Sequence, residues 1–206
     1  MLDEAGFTDA VIAASNDLDE FLINDLKIQG AKIGSWGVGT NLITSKDCPS
    51  FGGVYKLSAI QNNDGEFIPK IKISENVEKI TNPGDKTIYR VYDKETGKIR
   101  ADLICFADET WNEEDELLLF DPNATWKKTR LPGGSYTMKE ILLPIFKHGE
   151  CIYESPSVME IAQFCKEEKE TLWDETKRLF NPHGVYVDLS RSLYDTKNRL
   201  LDDMSK

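Results

Sequence analysis

From residue 10 to residue 14 the chain reads AVIAA, an unbroken apolar run too short for a helix. Such a run predicts a strand covered on both faces. SNDLDE follows, rich in residues that cap helix N-termini, Ser15 and Asn16 among them. Leu18, Phe21, Leu22, Leu26 and Ile28 then recur at near-helical spacing, and Gly30 makes a plausible stop. A second strand over 33–36 leads into WGVGT. Together these make one βαβ unit, with a connection long enough for a parallel crossover.

Beyond Gly52 the period changes. VYKLSAI and FIPKIKI read as strands joined by an NNDG turn, and TIYRVYD and KIRADLICF as a hairpin around KETG, with Gly97 free to take positive φ. Short strands are expected at ELLLF and LLPIF. From residue 155 to 180 one amphipathic helical stretch is expected, with Val158, Ile161, Ala162, Cys165, Leu172, Thr176 and Leu179 on one side. Ser157 with Glu160 as a capping box, or Ser155 with Pro156 in the first turn, would start it. NPHG would end it, before a strand at VYVDL and an amphipathic piece over 193–204. The fold class expected is α/β, in three segments: 1–50, a β-rich 51–150, and a helical 151–206 with a short strand. MLDEAGF reads as the last turn of a helix. A buried parallel strand needs neighbours on both edges, which one βαβ unit does not supply. The chain is therefore expected to be the end of something longer.

The loops leaving the two parallel strands carry the candidate chemistry. Ligands of α/β proteins bind at such strand ends. Gly37 and Gly39 leave no Cβ between a ligand and the main-chain amides, and a helix starting near Asn41 would add its dipole. Three or four amide bonds to a charged oxygen, each contributing about 1.5–3 kcal/mol, hold a phosphate without a lysine. Thr40 offers a hydroxyl, and Ser15 and Asn16 stand at the equivalent end of the preceding strand. SFGGVYKL repeats the theme with Gly52, Gly53 and Lys56. GVGT is neither a P-loop nor a dinucleotide fingerprint. A plain turn at GVGT and a plain cap at Ser15 or Asn16 are the alternatives.

Charge narrows the partners. The net charge of −11 over 206 residues argues against a nucleic-acid surface, yet leaves room for a small phosphorylated ligand. No run approaches the ~18 apolar residues of a membrane span, so a cytoplasmic address is expected. The four cysteines are scattered and suit reduced, mostly buried thiols. A metal site from His148, Cys151, Cys165 and His183 lacks the usual paired spacings. DETWNEEDE reads as an exposed acidic loop.

The stretches ASNDLDEFLINDLKIQGAKIGSWGVGTNLITS, FGGVYKLSAI, PKIKISENVEKITNPGDKTIYRVYD, GKIRADLI, LFDP and NPHGVYVDLS run in order across nearly the whole chain. In them the chain resembles the C-terminal half of bacterial nicotinate phosphoribosyltransferase. The resemblance implies an irregular α/β barrel, whose last βα units lie in 1–50, carrying a β-rich domain. It implies an enzyme of NAD biosynthesis that makes nicotinate mononucleotide from nicotinate and phosphoribosyl pyrophosphate, with ATP hydrolysis and Mg²⁺. A homodimer is implied, with Trp126, Lys127 and Lys128 as candidates for contact with a second subunit.

The family's SND-like and GVGT-like loops grip the phosphoribosyl phosphate, a role that falls here to Ser15, Asn16, Gly39 and Thr40, with Gly37 shaping the turn. Its nicotinate-binding RLDSGD-type segment and phosphorylatable histidine do not occur in these residues. The expectation is therefore a phosphate cradle without a catalytic centre, inactive by itself and completed by an N-terminal half or second polypeptide. The other reading is a non-catalytic, truncated module that binds phosphate or a partner.

Overall fold

The computed structural model describes residues 2–50, 52–76, 79–124 and 126–204. They divide into two compact units, 1–54 and 55–206. Phe51, where the β-rich segment is expected to open, lies outside the described residues.

In the first unit a short 3-10 turn, Asp3–Ala5, closes at Gly6 with φ +89°. Strand β1 (Ala13–Ser15) lies parallel to β2 (Ser35–Gly37), with Ala13 opposite Ser35 and Ser15 opposite Gly37. The crossover is helix α1 (Glu20–Ile28), whose N-cap is Asp19: its Oδ1 accepts the Leu22 N–H at 2.7 Å. Gly30 takes φ +82°, and its N–H and that of Ala31 return to the carbonyls of Lys27 and Leu26, which ends the helix as expected. A single turn, α2 (Thr40–Ile43), follows β2. The double-sided cover expected for the first strand is not found. Val11 and Ile12 are 71% and 58% exposed, and among the described residues β1 pairs with β2 alone.

The second unit opens with an antiparallel hairpin of β3 (Ala59–Gln61) and β4 (Phe67–Pro69). Asn62 Oδ1 accepts from the amides of Asp64 and Glu66, and Gly65 takes φ +85°. The larger hairpin joins β5 (Lys86–Asp93) to β6 (Ile99–Phe106), and Asp93 Oδ1 accepts from the Thr96 amide and hydroxyl in the turn. Next come β7 (Leu117–Phe120), β8 (Lys128–Leu131) and β9 (Tyr136–Glu140). The strand expected at LLPIF is reduced to β10 (Phe146–Lys147), which turns through His148 and Gly149 into β11 (Glu150–Cys151).

Helix α3 (Val158–Glu170) begins on the Ser157–Glu160 capping box, with the Ser157 amide donating to Glu160 Oε2 at 2.7 Å. It stops ten residues short of NPHG. Its last carbonyls are taken from outside the helix: Lys98 Nζ donates to Glu170 O at 2.6 Å and Leu172 O at 3.1 Å, and the Ile99 amide to Thr171 O at 2.8 Å. Trp173 then donates its indole N–H to Ile99 O at 2.6 Å. Further helix would need those carbonyls for its own amides.

Strand β12 (Val187–Leu189) and helix α4 (Arg191–Met204) complete the chain. The six-stranded sheet runs β8-β7-β12-β6-β5-β9, so the last strand is inserted at its centre, parallel to β6 and antiparallel to β7. One face carries the core of Val91, Ala101, Leu103, Cys105, Leu117, Leu119, Leu131 and Tyr136. On the other, Leu189, Phe120 and Leu193 are buried, and the rings of Phe120 and Tyr194 stack at 4.7 Å. Arg90 ties α3 to the sheet, bidentate to Asp102 at 2.8 and 3.0 Å and reaching Glu168 at 3.2 Å.

Two expectations are corrected. Only Cys105 is buried; Cys48, Cys151 and Cys165 are exposed, because the segments that carry the last three do not pack inward. The acidic loop is not wholly solvated. Glu109 Oε1 accepts from the Phe106 amide (2.9 Å) and the Ser190 hydroxyl (2.6 Å), and Glu113 Oε1 from the Met138 amide (2.7 Å).

Candidate functional site at two parallel strand ends

The register that sets Ser15 opposite Gly37 brings the C-terminal ends of β1 and β2 side by side. A Cβ on Gly37 would stand 3.2 Å from the Ser15 Cβ, so glycine there admits the serine. Gly37 ends the strand; the turn itself is Val38–Gly39. Beyond Ser15 the backbone takes φ +94° at Asn16 and +46° at Asp17, left-handed values that only a few per cent of non-glycine residues adopt, asparagine and aspartate more readily than most.

Because Asp19 caps α1, Ser15 and Asn16 are released from the capping role. Outside the β1–β2 ladder, the amides of Asp17, Gly39, Thr40 and Asn41 meet no protein acceptor among the described residues. Gly39 is the N-cap of α2, and a Cβ there would meet no atom within 4 Å. One turn of helix has little macrodipole, so the binding capacity rests on the amides themselves.

Asn41 supplies what the sequence reading does not contain. Its Nδ2 donates to the carbonyls of Asp17 and Leu18, both at 3.1 Å, stitching the loop after β1 to the turn after β2. The pattern held a faint signal: an asparagine just inside a one-turn helix, with a polar loop waiting at the neighbouring strand end. Leu18, 4% exposed, anchors the same loop from below. Asn41→Ala is expected to lower the stability of this unit by about 1–2 kcal/mol, two side-chain bonds being lost. Amide exchange at residues 15–18 should speed up more than in α4, and equal change in both would contradict the stitch.

A cavity of about 440 Å³ opens between α1 and α2, with Phe21, Val38, Asn41 and Lys46 in its wall. Ser15, Asn16, Gly39 and Thr40 do not line it. The remaining candidates belong to other stretches of the chain. Gly52 and Gly53 lie in the first unit outside any helix or strand, with open space where a Cβ would stand. Lys56 belongs to the second unit, and its ammonium donates to the carbonyl of Lys79.

Residues 85–197, more than half of the chain, match the family described as nicotinate phosphoribosyltransferase C-terminal domain. The chain belongs to the nicotinate phosphoribosyltransferase family. It is 41% identical over 204 residues to the nicotinate phosphoribosyltransferase of Bacillus subtilis, which covers 99% of this chain and 41% of that protein. The Caenorhabditis elegans nicotinate phosphoribosyltransferase is 35% identical over 184 residues, 89% of this chain and 32% of its own length. The fold is similar to that in the crystal structure of human nicotinic acid phosphoribosyltransferase, with a TM-score of 0.70 at 23% identity, over 97% of this chain and 36% of that one. The chain thus spans about two-fifths or less of the relatives it matches. The C-terminal-domain match lies in the second unit; the paired strand ends lie before it, within the stretch shared with the Bacillus subtilis family member.

Proposed function

We propose that this chain is part of a nicotinate phosphoribosyltransferase and supplies the cradle for the phosphoribosyl phosphate. The single observation that carries the cradle is the pairing of Ser15 with Gly37 at adjacent parallel strand ends, with the amides of Asp17, Gly39, Thr40 and Asn41 beyond the ladder uncommitted among the described residues. In this reading Asp17, Gly39 and Thr40 donate main-chain N–H groups, Ser15 and Thr40 add hydroxyls, and Asn16 adds its side-chain amide. On the sequence pattern alone, Gly52 and Gly53 are a second candidate stretch of bare backbone for phosphate, with Lys56 as a cation close to it in sequence.

The reaction proposed joins nicotinate to phosphoribosyl pyrophosphate, with ATP hydrolysis, in a cytoplasmic homodimer. This chain's share is to fix the 5-phosphate so that C1 of the ribose is held for attack by the nicotinate nitrogen, a matter of positioning and charge stabilisation. Mg²⁺ and ATP enter by resemblance. Among the described residues no three His, Cys, Asp or Glu side chains stand close enough to hold a metal, so no step here is routed through the ion. Likewise by resemblance, 1–50 are the last βα units of an irregular barrel, 51–150 a β-rich segment and 151–206 a helical one. The bare edge of β1 and the exposed Val11 and Ile12 support a larger α/β body around this pair, since a two-stranded sheet is marginal alone. They weigh against a free-standing module.

Titration of the isotopically labelled chain with ribose 5-phosphate and with inorganic phosphate tests the cradle. Saturable shifts are expected at residues 15–17 and 38–41, and Thr40→Val should weaken binding about tenfold through one lost charge-assisted bond. Shifts elsewhere, or none, would sink it. The chain alone is expected to form no nicotinate mononucleotide from nicotinate, phosphoribosyl pyrophosphate and ATP, and appreciable product would overturn the division of labour.

A further inference from the structure

We propose that the second unit holds a small-molecule site at Asp188 that takes an amino-acid-like zwitterion, its ammonium on Asp188 and its carboxylate on Lys127. Asp188 sits in β12 in register with Leu103 of β6, so its side chain leaves the sheet on the face of the apolar core. It is only 5% exposed, and among the described residues its carboxylate accepts no hydrogen bond and forms no ion pair. A buried carboxylate without a partner is costly, and native structures rarely leave one so. It opens into a cavity of about 290 Å³, walled by Asp121, Lys127, Lys128, Thr129 and Tyr186.

The walls select the ligand. Asp121 is already engaged: Oδ1 accepts from the amides of Asn123 and Ala124 at 2.8 and 2.9 Å, and Oδ2 lies 4.0 Å from Lys127 Nζ. Lys127 also stands 5.7 Å over the Tyr186 ring. Lys127 beside one available carboxylate disfavours a divalent cation, which seeks several oxygen ligands. A simple anion would face Asp188 unscreened. A short zwitterion answers both ends, with its methylenes against Tyr186 and a hydroxyl available from Thr129. Burial, reinforced by Asp121 and opposed by Lys127, raises the Asp188 carboxyl to about 6. Binding that needs the carboxylate should therefore weaken below about pH 6, within a pocket whose other titratable groups are Asp121, Lys127, Lys128 and Tyr186. None of this depends on the phosphate reading of the first unit.

The test is an NMR titration of the labelled chain with β-alanine and 4-aminobutyrate, against propionate and ethylamine as half-ligands. Saturable shifts are expected at residues 121, 129, 186 and 188 with the zwitterions, and binding at least about tenfold weaker for either half-ligand. Asp188→Asn should weaken zwitterion binding at least about tenfold while the spectrum stays dispersed. Lys127→Gln should reduce zwitterion affinity to that of ethylamine, an arm that decides the matter if the first variant fails to fold. The proposal is overturned by absence of saturable shifts, by equal affinity for ethylamine in the unaltered chain, or by binding that survives both substitutions.

Discussion

Asp188→Asn is expected to stabilise the chain near neutral pH and to lose most of that gain in acid. The carboxyl rises from the ordinary aspartate value to about 6 in the folded state, chiefly through burial. Between those values the folded state binds more protons than the unfolded one, so stability falls as pH rises through the window. The penalty is absent well below pH 4, reaches about 1 kcal/mol at pH 4.5 and about 3 kcal/mol above pH 7. An uncharged amide of the same shape removes it. Urea unfolding of both proteins near pH 4.5 and pH 7.5 should show a gain larger by about 2 kcal/mol at the higher pH. A variant less stable at pH 7.5, or a difference that ignores pH, would show that Asp188 is satisfied in the folded protein.

Gly133→Ala should be the most damaging single methyl in the second unit. Its Cβ would lie 2.0 Å from the carbonyl oxygen of Glu114 and 2.6 Å from the carbonyl carbon, both main-chain atoms. That backbone has little room to yield. The Gly134 amide donates to Glu113 O at 2.7 Å, and the hydroxyl of Tyr136, 1% exposed, donates to the carbonyls of Asn112 and Asp115 at 3.3 and 3.1 Å. Overpacking typically costs about 1–3 kcal/mol, and contact with pinned backbone belongs at or above the top of that range. Gly97→Ala is the control: its φ of +68° disfavours alanine, but open space surrounds it, and about 1 kcal/mol is expected. Equal losses at the two positions in a denaturant titration would mean that the 112–116 loop moves aside at little cost.

Much of the local structure was legible in the chain. The βαβ unit, the Gly30 stop, the hairpins at NNDG and KETG and the Ser157–Glu160 box all rest on residues within a few positions of one another, where periodicity and turn chemistry act. The failures share a different cause. The helix was expected to run on to NPHG because its apolar spacing does, yet Lys98 and Ile99, some seventy residues earlier, take the carbonyls it would have needed. Three cysteines expected inside lie outside, and two glutamates expected in water hold amides of other segments.

The candidate site divides in the same way. Ser15, Asn16, Gly37, Gly39 and Thr40 were named from two polar loops at predicted strand ends, and family membership was readable from the quoted stretches. That Ser15 faces Gly37, and that Asn41 binds the two loops together, required the parallel register.

By itself, then, the sequence determined the elements, the turns, the family and the residue types at the strand ends, since each depends on short-range sterics and spacing. Only the tertiary structure decided that β12 enters the middle of the sheet, that α3 ends at Glu170, and that Asp188 is buried at the margin of an apolar core. Those outcomes depend on which distant groups compete for the same hydrogen bonds and the same dry surface, and no local pattern carries that information.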